Sequence, residues 1–292
     1  DGMPWDIDDV IAIRKRLGLL SPTLIDCTSD EAIASSYVRF LDAGFNIVAA
    51  NKKANTSNYD YYVSMRDAEK RNFRKCLYET NVAAGLPFIE TLQSLIRSGD
   101  ELLTFEGILS GSLSMIFGLL EDGEPFSGAV SKAMELGYTE PDPRDDLSGM
   151  DVARKLLIIA REVGLRLDLD DISVEPVVPF EAVANADRGK LVEALQAQDA
   201  AFEQRIASAA ADGNVLRYVA RLEDGSCRVS IEEVGRSSPL GAVRNGENAL
   251  VIHSRYYQPI PMVLRGYGAG AAVTAAGVFG DLLRTVWRPL DN

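Results

Sequence analysis

The stretch that most constrains this chain is Ala133–Lys155, AMELGYTEPDPRDDLSGMDVARK, which sets six acidic side chains around two prolines and two glycines and ends on a lysine. Pro141 and Pro143 lack a backbone N–H donor and push the residue before them toward extended conformations, so with Gly137 they forbid one continuous helix here. The pattern predicts an ordered loop over 140–145. Beyond it, Asp146 or Ser148 is placed to cap a helix. The apolar spacing of Leu147, Met150, Val152, Ala153, Leu156, Leu157, Ile159 and Ala160 then carries that helix to Val163.

On that helix Asp151 and Lys155 are four residues apart and share a face, with Glu140 and Asp142 in the loop beside their end. Taken alone, such a spacing describes a surface ion pair of little energetic consequence. The density of acids around it points instead to a lysine held among carboxylates. A calcium loop is the other reading, but the order of acids lacks the alternate oxygen ligands, central glycine and closing glutamate of an EF-hand.

The rest of the chain alternates. Helical spacing over 10–20 precedes a short apolar run at 23–27, TLIDC; a helix over 30–43, a strand at 45–50, a helix over 57–71 and a strand at 75–79 follow. Such alternation implies βαβ units and a parallel sheet, whose ligands bind beyond the carboxyl ends of the strands. Those ends carry Cys27-Thr28-Ser29, Asn51-Lys52-Lys53 and Glu79-Thr80-Asn81. From Ala84 the pattern changes to helices at 85–99, 112–120, 126–136 and 190–211, a strand ending at Gly111, and a hairpin closed by the EDGS turn at 223–226. This predicts a second, α+β domain with an antiparallel or mixed sheet. A Gly- and Ala-rich run, 265–277, then leads into a last helix, and its glycines let backbone approach a ligand.

Composition narrows the function classes. At 292 residues and 47% hydrophobic, the chain is long enough for two domains. A formal charge of −13 without a Lys/Arg cluster argues against nucleic acid. No run of eighteen apolar residues predicts a membrane span, and the acidic opening DGMPWDIDD lacks the character of a signal peptide. The single histidine, His253, excludes multi-histidine metal sites. Three widely spaced cysteines, Cys27, Cys76 and Cys227, predict buried thiols in a reducing compartment, the cytoplasm or a plastid stroma.

The acidic stretch resembles the signature of homoserine dehydrogenases, A-x3-G-aromatic-Thr, then Asp-Pro, then Asp-Leu-x-Gly-x-Asp-x3-Lys. Ala133, Gly137, Tyr138, Thr139, Asp142, Pro143, Asp146, Leu147, Gly149, Asp151 and Lys155 fill it. The segments DCTS, ANKKANT and YETNVAAGLP are similar to those that line the nicotinamide cofactor and bind a sodium ion in that family. The resemblance implies a Rossmann-type nucleotide domain over 1–83 and 264–292, and a catalytic and dimerisation domain over 84–263. It implies Lys155 as proton donor and acceptor with Lys52 as the second candidate base, and Asp151, Glu140 and Asp146 as substrate ligands. Thr28, Lys52, Gly137, Glu140 and Gly270 would face NADP or NAD; Glu79, Val82, Ala84 and Leu86 would hold sodium.

One departure stands out. The Gly-rich phosphate loop that opens a Rossmann domain is absent, so the resemblance implies a chain that begins past the family's first strand and helix. The wording looks most like the dehydrogenase portion of bifunctional aspartokinase/homoserine dehydrogenases, which implies a covalently linked aspartokinase part and a homodimer or higher homo-oligomer. Two functions are therefore expected alternatives: NAD(P)-dependent interconversion of L-homoserine and L-aspartate 4-semialdehyde in threonine and methionine biosynthesis, or a non-catalytic regulatory or dimerisation module that kept the fold. Retention of Lys155, Asp151, Glu140 and Lys52 together favours the first, because unpaired buried charge costs stability.

Overall fold

The computed structural model describes residues 6–183 and 190–286. Of the two segments assigned to nucleotide binding, residues 1–5 and 287–292 lie outside the described residues. The first sheet is built from α1 (Ile7–Leu17), β1 (Thr23–Asp26), α2 (Glu31–Ala34), α3 (Tyr37–Asp42), β2 (Asn46–Ala49), α4 (Tyr59–Asn72) and β3 (Cys76–Leu77). Its three strands run parallel in the order β1-β2-β3, with Ile25 opposite Val48 and Val48 opposite Leu77. β2 is buried along its whole length, as a parallel strand covered on both faces must be.

The second part contains α5 (Phe88–Arg97), β4 (Leu102–Ile108), α6 (Gly111–Glu121), α7 (Phe126–Glu135), α8 (Pro143–Leu147), α9 (Met150–Glu162), β5 (Ser173–Val174) and α10 (Phe180–Val183). It continues with α11 (Leu191–Leu195), α12 (Asp199–Ala211), β6 (Asn214–Glu223), β7 (Ser226–Gly235), β8 (Glu247–Ser254) and β9 (Met262–Tyr267). Its mixed six-stranded sheet has the order β5-β7-β6-β4-β8-β9, antiparallel except where β5 meets β7. The β6–β7 turn places Asp224 and Gly225 at φ 50° and 74°, the left-handed pair a tight hairpin needs. Finally α13 (Ala271–Val286) returns to pack on β1 and β2. Asp281 Oδ2 accepts from the Glu79 amide at 2.9 Å, and Thr285 Oγ1 lies 3.3 Å from Thr23 Oγ1.

Several elements differ from the sequence expectation, each for a local reason. The helix expected over 30–43 splits into α2 and α3, because the Ser35 and Ser36 hydroxyls donate back to the Ala32 and Ile33 carbonyls and offer the backbone an alternative ending. The expected loop at 140–145 closes into α8, with Pro143 in its first turn and Asp142 Oδ1 accepting from the Arg144 amide at 3.1 Å. The 190–211 helix is interrupted by a 3-10 turn at Gln196–Gln198. The last helix begins at Ala271, inside the Gly/Ala-rich run. Cys76 and Cys227 are buried as expected, whereas Cys27 is exposed where the chain leaves β1.

The helix carrying Asp151 and Lys155 starts at Met150, and its cap is Gly149 rather than Asp146 or Ser148. α9 packs on β6 and β7, and its Val152, Leu156, Leu157 and Ile159 are all fully or almost fully buried. Each such side chain contributes roughly 1.5–3 kcal/mol relative to exposure. Gly149 has φ 74°, and a Cβ there would sit 1.9 Å from the Tyr218 hydroxyl oxygen. Gly213 has the same φ with open space around it. Gly149→Ala should therefore cost more than the about 1–3 kcal/mol of left-handed strain alone, and clearly more than Gly213→Ala, in urea unfolding. Equal losses for the two substitutions would contradict the Tyr218 contact as the constraint on where α9 begins.

Candidate active site

The site begins at the carboxyl ends of β1 and β2, which a buried aspartate ties together. Asp26 Oδ1 accepts from the Thr28 amide at 2.8 Å and the Thr28 hydroxyl at 2.7 Å. Its Oδ2 accepts from Tyr37 Oη at 2.6 Å and Asn51 Nδ2 at 3.0 Å. Burial, together with the neighbouring Asp26 carboxylate, pushes the Tyr37 phenol far above its ordinary pKa. Asn51 also donates to the Asp30 carbonyl, and its Oδ1 accepts from the Lys53 amide at 3.0 Å. These turns line a cavity of about 680 Å³ whose wall includes Thr28, Ser29, Lys52, Lys53, Asp151 and Arg154. Such a crevice at the strand ends is where an open parallel sheet takes a ligand.

Opposite the strand ends, the first turns of α9 present the ionic centre. Asp151 Oδ2 lies 2.8 Å from Lys155 Nζ, and Asp151 Oδ1 lies 3.4 Å from Lys52 Nζ. Lys155 also donates to the Leu109 carbonyl at 2.7 Å, where β4 has ended and α6 is about to start. Burial opposes the charged form of Asp151. The ammonium groups of Lys155 and Lys52 more than offset that effect, and hold the carboxyl well below the ordinary aspartate range. One carboxylate thus joins a lysine from each part of the chain.

The acidic loop packs on the same end of α9. Ser112 Oγ donates to Asp146 Oδ1 at 2.6 Å and lies 2.8 Å from Ser110 Oγ, while the Glu140 amide donates to Asp146 Oδ2 at 2.8 Å. Burial raises the Asp146 pKa, helped by the charges of Glu140 and Asp151; the Ser112 and Glu140 hydrogen bonds act the other way. Gly137 ends the turn after α7, its amide donating to the Met134 carbonyl. Gly270, at φ 119°, opens the last turn before α13. Its neighbour Ala269 approaches the start of α6, where a Cβ on Gly111 would sit 3.8 Å from Ala269 Cβ and 3.2 Å from the Gly246 carbonyl oxygen.

The fourth group of expected residues lies below β3. Glu79 is buried, and its carboxylate accepts from the Ile89 amide at 2.6 Å and the Glu90 amide at 3.0 Å, closing the start of α5. Burial raises its pKa while those two amides lower it. Ala83 and Ala84 adopt left-handed φ of 56° and 48°, so the backbone coils between Val82 and Leu86. The Leu86 carbonyl accepts from the Phe88 amide at 2.8 Å; the Val82 and Ala84 carbonyls accept no hydrogen bond among the described residues.

The structure therefore brings Lys52, Asp151 and Lys155 into direct contact and puts Thr28 on the same cavity. Asp146 and Glu140 stand beside that centre. Lys52 and Asp151 line the cavity, whereas Lys155, Glu140, Asp146, Gly137 and Gly270 do not, and Glu79, Val82, Ala84 and Leu86 form a separate place. Sequence reading missed Asp26, Ser112 and the Leu109 carbonyl. A charged residue ending an apolar strand is the signal that could have found Asp26; a carbonyl partner leaves no side-chain signal.

A family model described as homoserine dehydrogenase matches residues 87–283, and one described as the homoserine dehydrogenase NAD binding domain matches residues 3–79. The chain belongs to the homoserine dehydrogenase family. A bifunctional aspartokinase/homoserine dehydrogenase of Haemophilus influenzae is 52% identical over 283 residues, which are 97% of this chain and 35% of that protein. This family member spans about a third of the length of the curated relatives it matches. A crystal structure of a Candida auris protein of unknown function has a TM-score of 0.92 at 34% identity, covering 98% of this chain and 81% of that one. A hyperthermophilic archaeal homoserine dehydrogenase in complex with NADPH has a TM-score of 0.70 at 22% identity, covering 94% of this chain and 74% of that one; that likeness is one of fold. Among the described residues of this homoserine dehydrogenase family chain, no helix is long and apolar enough to cross a membrane.

The depressed Asp151 sets a pH test. A carboxyl with a lowered folded-state pKa contributes stability that is complete above the ordinary aspartate range, near pH ~4, and is lost as pH falls below it. Asp146, raised, has the opposite sign: its charge opposes the fold at neutral pH, and protonation relieves it. The stability difference between the parent chain and Asp151→Asn should be flat from about pH 5 to 8 and shrink on acidification. A difference unchanged to strongly acid pH would contradict the ion triad.

Proposed function

We propose that this chain carries the site for NAD(P)-dependent interconversion of L-homoserine and L-aspartate 4-semialdehyde, a step of threonine and methionine biosynthesis. The observation that carries the proposal is that Asp151, at the wall of the strand-end cavity, contacts both Lys52 on that wall and Lys155 behind it. The cavity fits a dinucleotide by its place beyond the parallel strands, its hydroxyl groups from Thr28 and Ser29, and its cations Lys52, Lys53 and Arg154. When bound, the nicotinamide supplies or accepts the hydride.

In this reading Lys155 moves the proton of the substrate hydroxyl, with Lys52 as the second base, and the Leu109 carbonyl fixes the direction of Lys155. The substrate α-ammonium is a cation, so Asp151, with Asp146 and Glu140 beside it, holds it by charge-assisted hydrogen bonds. Thr28 and Lys52 face the cofactor, with Gly137, Glu140 and Gly270 at its edge. The nucleotide-binding part comprises 1–83 and 264–292, and the catalytic and dimerisation part 84–263. The free edge of β9 and the exposed Val263 and Tyr267 support pairing with a second copy, which sedimentation at micromolar concentration would read. A linked aspartokinase part and a location in the cytoplasm or a plastid stroma belong to the same proposal.

Sodium at Glu79, Val82, Ala84 and Leu86 is part of the proposal too. Among the described residues no group of three or more His, Cys, Asp or Glu side chains is placed to hold a metal, so an ion here rests mainly on carbonyl oxygens. The two carbonyls without donors, at Val82 and Ala84, fit such a hard cation. Replacing NaCl by KCl should lower the melting temperature; identical melts in the two salts would remove sodium from the proposal.

The decisive assay follows nicotinamide absorbance during homoserine oxidation. Lys155→Ala should keep the fold and lower turnover at least about a hundredfold. Asp151→Asn should weaken homoserine about ten- to a hundredfold, the scale of one charge-assisted hydrogen bond, with cofactor affinity nearly unmoved. Turnover like that of the parent chain in Lys155→Ala would reject Lys155 as the proton carrier, whereas a parent chain that oxidises no homoserine would leave the non-catalytic module as the better reading.

A further inference from the structure

We infer that Arg161 is a positioning residue for the proposed reaction: from the last turn of α9 its buried guanidinium sets the 51–58 loop so that Lys52 meets Asp151 on the first turn of the same helix. The inference rests on the roles proposed above for Lys52 and Asp151.

The Arg161 side chain is fully buried although it sits on a helix face next to a charged site. Its Nη1 donates to the Asn55 carbonyl at 2.9 Å and its Nη2 to the Ser57 carbonyl at 2.8 Å. Nε and Nη2 share the Leu167 carbonyl at 3.1 and 2.9 Å, and Nη2 reaches Asp168 Oδ1 at 3.0 Å. Four of these five bonds go to neutral carbonyls, and the one carboxylate, Asp168, is half exposed. This arrangement uses the direction of a planar fork more than its charge. The rings of Tyr62 and Tyr59 lie 5.0 and 5.7 Å from the guanidinium carbon and hold its plane.

The loop transmits this anchoring to Lys52. The Lys52 carbonyl accepts from both the Thr56 amide and the Thr56 hydroxyl at 3.1 Å, which closes a turn directly before the carbonyl that Arg161 takes at Ser57. Asn55 is fixed at its side chain as well, between Arg66 Nη2 at 2.9 Å and Asn81 Oδ1 at 2.8 Å. The loop is thus joined to α9 twice, by Lys52 to its first turn and by Arg161 to its last. A purely stabilising residue at a buried place would do as well or better as an apolar side chain of equal volume. The fork is explained by what it orients.

The test is a mutant cycle on the whole chain, read by homoserine kcat/KM and by amide hydrogen exchange of the 51–58 peptide. Arg161→Lys keeps the charge and loses the fork. It should lower kcat/KM about ten- to a hundredfold and speed exchange in 51–58 about tenfold, with the α9 core protected as before. In a Lys52→Met background the same substitution should cost less than about twofold, because the group it positions is gone. Losses that multiply in the double variant, or unchanged exchange in 51–58, would overturn the inference. If the parent chain oxidised no homoserine, the dehydrogenase reading would fall while the exchange arm still decided whether Arg161 orders the loop. If Arg161→Lys did not fold, Thr56→Val removes the hydroxyl half of the Lys52–Thr56 turn and loosens the connection from the loop side. A Thr56→Val loss that vanishes with Lys52→Met supports the link, and one that persists overturns it.

Discussion

Everything at this site depends on one carboxylate serving two ammonium groups. Asp151 receives Lys155 from its own helix and Lys52 from the turn after β2, so a single ionic centre joins the parallel sheet to the mixed sheet. An exposed ion pair contributes little. Here the pair is partly enclosed, and burial alone would drive Asp151 toward its neutral form. The two ammonium groups, Lys155 foremost, outweigh that cost and keep the carboxyl ionised. A carboxylate paired with two cations keeps its charge compensated even when one pair lengthens.

The surroundings of this centre are rigid for reasons of packing and hydrogen bonding. Gly149 lets α9 start against the Tyr218 hydroxyl, and the apolar face of α9 fixes the helix on β6 and β7. At the other end Tyr78 Oη donates to Glu162, Gln93 Nε2 donates to the same carboxylate at 2.9 Å, and Arg66 lies over the Tyr62 and Tyr78 rings. This polar and aromatic cluster lies between α4 and α9. Such buried polar contacts narrow the geometry available to the elements they join, although Arg66 Nε has no hydrogen-bond partner among the described residues.

Much of this was legible in the sequence where the interaction is local or periodic. Alternating apolar runs marked β1, β2 and β4, and the i to i+4 spacing of Asp151 and Lys155 survives directly as a 2.8 Å contact. What was not legible depends on groups far apart in the chain or on the backbone. Lys52 meeting Asp151, Lys155 meeting the Leu109 carbonyl and Arg161 meeting the Asn55 and Ser57 carbonyls have no local spelling. The split of α2 from α3 followed from serine hydroxyls whose backbone bonding competes with helix propagation, an effect weaker than the apolar period that obscured it.

The acidic loop shows why charge density alone is a poor guide to role. Of its acids, Asp142 acts as the cap of α8, Asp146 is spent on Ser112 and the Glu140 amide, and Asp151 alone meets the lysines. Their protonation follows the same division. Asp151 is held down by two ammonium groups, whereas Asp146, buried beside Glu140 and Asp151, is pushed up. Burial and charge thus drive the two neighbouring carboxyls' pKa values apart in opposite directions. The loop's prolines and Gly149 fix that separation by placing Asp146 at the end of α8 and Asp151 at the start of α9, so that backbone geometry assigns different chemistry to side chains of one type.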